Sequence, residues 1–73
     1  MAIALLGTRT GVVTSFDDHR GLGTIADDEG TVFDFHCAAI ADGTRTIEVD
    51  ARVRFAVVAG HLGRWEAGEI TPA

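Results

Sequence analysis

The sequence predicts an all-β fold, in which five short antiparallel strands close into one small barrel. Three observations carry this expectation. Apolar and polar residues alternate in short runs, and no stretch holds a clean 3.6-residue period. Glycine- and aspartate-bearing turn signals fall between the runs. The chain has only 73 residues, and five strands of that size cannot stand as an open, one-sided sheet. Closure removes the raw edges and gives one shared core.

The first strand is expected over residues 12–16, and a turn over 17–21 follows, marked by Asp17, Asp18 and Gly21. The second covers 22–26, entered through Gly21 with Gly23 inside it. After a turn at 27–30 the third covers 31–36. Its period of two sends Phe33 and Phe35 to one face and Asp34 and His36 to the other. A longer connection runs over 37–51, where 38–41 can form a single helical turn. The fourth strand, 52–58, turns Val53, Phe55 and Val57 inward and Arg52 and Arg54 outward. A turn at 60–63 leads to the last strand, 65–71. A three-strand meander, a long connection and a hairpin make the order of an OB-type barrel over residues 11–73, preceded by an extension over 1–10.

Composition bounds the function. Hydrophobic residues make up 47% and charged residues 23%, which excludes a disordered acidic tail. The apolar run 2–6 is too short to cross a bilayer and lacks the flanks of a secretion signal. One cysteine, Cys37, cannot form an internal disulfide, so the expected compartment is the cytoplasm. A barrel this small has no room for a deep cleft with a catalytic shell, so no enzyme, small-molecule substrate or cofactor is expected. Eleven acids against six bases, all arginine, give a net charge of −5. That charge repels nucleic acid and anionic membrane at long range, though a local basic face can survive on an acidic body.

Three segments carry a resemblance. Gly11-Val-Val-Thr-Ser-Phe16, Arg20-Gly-Leu-Gly-Thr-Ile25 and Phe33-Asp-Phe-His-Cys-Ala-Ala-Ile40 resemble the bacterial cold-shock domain. Its corresponding patterns are G-x-V-K-W-F, K-G-F-G-F-I and V-F-V-H-F-S-A-I. The likeness continues through Thr46-Ile47, Val53-Arg-Phe55 and residues 67–70. This chain has one residue fewer between Ile40 and Val53 and one more between Gly63 and Ala67.

The resemblance implies a five-stranded OB-type barrel that binds single-stranded RNA or DNA, stacking bases on surface aromatics while lysines track the phosphates. Taken position by position, the family's lysine and tryptophan fall on Thr14 and Ser15. Its two glycine-rich-strand phenylalanines fall on Leu22 and Thr24. The next two fall on Asp34 and Cys37, and the loop aromatic falls on Thr44. His36 matches the family's histidine, and Arg20 stands for its lysine. The inward set is kept: Val13, Phe16, Ile25, Phe33, Phe35, Ile40, Val53, Phe55 and Ile70. The implied face is therefore Thr14, Ser15, Arg20, Leu22, Thr24, Asp34, His36 and Cys37, with most of its rings missing. Weak or altered nucleic-acid binding is expected, and the alternative is a protein-interaction module on the same barrel.

The remaining motifs have plain readings. Gly21-Leu-Gly23 enters a strand with no helix behind it, so it is a turn and a crowded site rather than a phosphate loop. His19, His36 and Cys37 lack metal-ligand spacing. Cys37 has no base placed to activate it and reads as a small apolar filler or an exposed thiol. Arg20 is expected to pair with Asp17 or Asp18, and Arg52 and Arg54 to be balanced by Glu48, Asp50 or Glu66. Trp65 reads as a cover for one barrel end, packed with Ile3, Leu5 or Leu6, with a binding hot spot as the alternative.

Overall fold

A computed structural model describes residues 7–60 and 63–73. The apolar run 2–6, with the packing against Trp65 expected of it, lies outside the described residues, as do residues 61–62 of the last turn. Five strands follow in chain order: β1 (Thr8–Asp17), β2 (Leu22–Asp27), β3 (Val32–His36), β4 (Arg52–Ala59) and β5 (Trp65–Pro72). They form a closed barrel in the order β1-β2-β3-β5-β4, with β4 returning to β1. Every seam is antiparallel except β3–β5, which meets in parallel at Asp34 and Glu66.

β1 is longer than the alternation suggested because it serves two partners. Thr8 to Val12 pair with β4, and Gly11 onward pair with β2. Thr8, Arg9 and Thr10 carry no apolar alternation, so this half of the strand is fixed by a partner more than forty residues away in sequence.

Strict alternation cannot turn both Val13 and Phe16 inward, since they stand three apart. A bulge resolves this. Val13 pairs with Ile25 and Ser15 with Thr24, leaving Thr14 as the extra residue. β5 repeats the device. Its register slips between Arg54–Thr71 and Ala56–Gly68, Glu69 takes φ +48°, and both Ala67 and Ile70 are buried.

The interior holds the expected apolar set, Val57 included, joined by Ala67; only Phe16 is half-buried, its ring stacked on Phe35 at 5.9 Å. Full burial of one such side chain contributes about 1.5–3 kcal/mol. The long connection begins with a 3-10 turn (Cys37–Ala39), one residue ahead of the expected helical turn, and His36 caps it.

The β2–β3 turn closes one end of the barrel with charge. The Asp27 carboxylate accepts from Arg9 Nη1 at 2.8 Å and from the N–H groups of Glu29 and Thr31 at 2.9 and 2.8 Å. The Arg9 guanidinium also lies 5.8 Å from the centre of the Phe33 ring. Burial pushes the Asp27 carboxyl pKa up, but the Thr31 N–H, Arg9 and the Glu29 N–H together hold it below its ordinary value. The hydroxyl of Thr10 and then the guanidinium of Arg52 lower that of Asp28. Arg52 therefore pairs with Asp28, at 3.0 Å, and not with the expected Glu48, Asp50 or Glu66. The turn brings Asp28 to β4 across the barrel end, a contact that sequence neighbourhood does not reveal.

Candidate functional site

The outward sides of β1, β2 and β3 form one shallow concavity of about 610 Å³. Ser15, Leu22, Thr24, Asp34 and His36 line it, five of the eight residues that the sequence singled out. The ladder sets their order: Ser15 stands opposite Thr24, Thr24 opposite Asp34, and Leu22 opposite His36. Gly23 forms the floor. A Cβ there would stand 2.5 Å from the Phe35 ring and 2.6 Å from the Ser15 carbonyl oxygen, so no larger residue fits.

The β1 bulge gives this face its chemistry. It turns the consecutive residues Thr14 and Ser15 to the same side, and both hydroxyls lie 2.7 Å from Thr24 Oγ1. Thr14 Oγ1 also donates to the Thr24 carbonyl at 3.2 Å. Where the resemblance implies two rings and a cation, the chain has a cluster of hydroxyls already bonded to one another.

His36 Nδ1 accepts the Ala38 N–H at 3.1 Å. In the neutral ring this leaves the proton on Nε2, as a donor. Leu22 is 47% exposed and supplies the apolar side of the concavity. Asp34 is not a bare charge: Arg64 Nη2 lies 3.4 Å from its Oδ2. With side-chain exposures of 71% and 50%, that pair is worth about 0–1 kcal/mol and opens readily.

Two of the predicted residues stand apart. Arg20 sits in the β1–β2 turn, where its N–H, with that of His19, donates to the Asp17 carboxylate. Its guanidinium makes no ion pair among the described residues, so the expected bridge to Asp17 or Asp18 is absent there. Cys37 does not line the concavity, although its Sγ stays 3.8 Å from His36 Nδ1. Its side chain packs against the core and against Gly21, where φ is +68° and a Cβ would meet Sγ at 2.8 Å. Cys37 keeps the parity of Phe33 and Phe35, so the alternation of β3 carries it to the core side, and the outward place that the resemblance implied for it is not realised.

Arg64 and Glu66 also line the concavity, and sequence reasoning did not place them there. The signal available was the additional residue between Gly63 and Ala67. Its meaning depends on the β3–β5 seam, which no local pattern reveals. Trp65, at the start of β5, is 47% exposed and lies beside Val32, Phe33, Asp34 and Arg64. Among the described residues no group of His, Cys, Asp and Glu is arranged to hold a metal ion. No helix among the described residues is long and apolar enough to cross a membrane.

A family model described as the "'Cold-shock' DNA-binding domain" matches residues 9–73. No curated protein matches the chain.

Proposed function

The chain belongs to the cold-shock domain family, and on that premise we propose that it is a non-enzymatic binder of single-stranded RNA or DNA with an altered, weakened face. The observation that carries this reading is the content of the β1–β3 concavity. It lies where the resemblance implies the base-binding face and has an apolar floor, yet around Leu22 its side chains offer one imidazole, hydroxyls, carboxylates and the single cation of Arg64.

The magnitudes set the expected weakness. A base–aromatic stack is worth about 1–3 kcal/mol. Four missing stacks remove about 4 kcal/mol at the low end, roughly three decades in affinity. Asp34 and Glu66 on the same concavity add repulsion toward phosphate, offset in part by Arg64.

The test is an NMR titration with a mixed-sequence single-stranded oligonucleotide at low salt, repeated as salt rises. Saturable shifts at Ser15, Leu22, Thr24 and His36, with affinity falling steeply in salt, are the expected result. His36→Ala should lower that affinity. No shift up to about millimolar oligonucleotide, where binding is worth only about 4 kcal/mol, would reject the reading and turn the assignment to a protein partner.

A further inference from the structure

The concavity on β1–β3 continues beyond Asp34. A second hollow of about 330 Å³ lies across the Arg64–Asp34 pair, and those two residues border both hollows. Val32, Phe33 and Trp65 give it apolar walls. Trp65 directly precedes Glu66, the residue that joins Asp34 across the β3–β5 seam. The indole is 47% exposed and Val32 60% exposed. The chain's only tryptophan is therefore available to a ligand, next to a carboxylate whose cation partner is loosely held.

An accessible indole offers a stacking surface to any base, and a neighbouring carboxylate offers two acceptors to its edge. We propose that the β3–β5 seam is a one-base subsite for single-stranded nucleic acid, with Trp65 as the stacking ring and Asp34 as the reader of the base edge. Arg64, on leaving Asp34, meets the phosphate. The inference rests on the nucleic-acid reading above and moves the main stacking contact from the β1–β2 positions to β5.

The chemistry of Asp34 names the base. A carboxylate only accepts hydrogen bonds. Guanine presents its ring N–H and its amino group side by side, two donors for two oxygens. Adenine and cytosine present an amino donor beside a ring lone pair, which repels the second oxygen. Thymine and uracil flank a single N–H with two carbonyls. Guanine is therefore preferred, and thymine and uracil are taken last.

The probe is a short thymidine strand whose central base is left unchanged or replaced by guanine or by hypoxanthine, which lacks the amino group. Binding is followed by Trp65 emission together with the amide shifts of Leu22, Thr24 and His36. The guanine strand should bind about tenfold more tightly than the thymidine strand and quench Trp65, with hypoxanthine between them. Asp34→Asn should erase the preference in a folded protein. Trp65→Ala should weaken binding about tenfold, and Trp65→Phe should retain most of it. If Trp65→Ala fails to fold, Trp65→Phe and Asp34→Asn carry the test. Shifts at Leu22, Thr24 and His36 with unmoved emission and equal affinities would overturn the subsite and leave the nucleic-acid reading standing. Silence from every strand would overturn both.

Discussion

β3 carries two different kinds of residue on its two sides. Inward, Phe33 and Phe35 are 6% and 2% exposed, and each ring packs on another: Phe33 tilts against Phe55 at 5.4 Å and Phe35 stacks on Phe16 at 5.9 Å. Outward, one peptide unit away, Asp34 is held by a single loose ion pair and His36 by one backbone N–H and a 3.8 Å contact with Cys37 Sγ. The inner side is specified by volume and ring packing. The outer side is specified by whatever it touches in solution. A period of two separates these demands, so the barrel can persist while its surface chemistry changes.

The largest expected effect breaks the inner side. Phe35→Ala removes a ring from the centre of the core and should cost about 3–5 kcal/mol. A small domain has total stability near the low end of about 5–15 kcal/mol, so loss of the cooperative thermal transition in circular dichroism is expected. A variant that still melts cooperatively at the parent temperature would show that the core does not depend on this ring.

Acid comes next, because it strikes several held carboxylates together. Asp27, Asp28 and Asp42 all have folded pKa values below the ordinary 3.8, the last through the N–H and hydroxyl of Thr44. At low pH the unfolded chain therefore binds protons that the fold resists. The stabilisation is complete above 3.8 and is lost as pH falls through the lower folded values. Urea midpoints should be flat near neutrality and decline below that point, and Asp27→Asn should flatten the decline. A midpoint unmoved by acid would mean that these hydrogen bonds contribute nothing net.

The inner side of this contrast was legible in the sequence and the outer side only in part. Alternation alone placed Phe33, Phe35, Val53 and Phe55 inside, because each stands in a regular run. It could not reveal the bulge at Thr14, since one additional residue leaves the composition of a strand unchanged while reversing its parity. That bulge is what gathers Thr14, Ser15 and Thr24 into one hydroxyl cluster. Arg64, Trp65 and the Asp28–Arg52 bridge escaped for a second reason. Each depends on a meeting of segments distant in the chain, at the β3–β5 seam or the barrel end.

A ring restored to the outer side should act on binding and spare the fold. Thr24→Phe sets an aromatic in the middle of the face at the cost of two exposed hydroxyl contacts. One added stack is worth about 1–3 kcal/mol, so affinity for a single-stranded oligonucleotide should rise about tenfold or more. Unchanged affinity in a folded variant would mean that bases do not lie across β2, and the contrast between the two sides would lose its functional half.

The smallest effect is the most discriminating, because it compares neighbours on one strand. Asp34→Ala removes the partner of Arg64 but buries nothing and opens no cavity. Both side chains are at least half exposed, so the bridge contributes about 0–1 kcal/mol, and the melting transition should stay close to that of the parent. Phe35→Ala, one residue on, should abolish that transition. A large loss of stability from Asp34→Ala would make the β3–β5 seam a structural joint rather than a ligand surface. The Arg64 contact would then be part of how the barrel closes, and the outer side of β3 would answer to the fold as strictly as the inner.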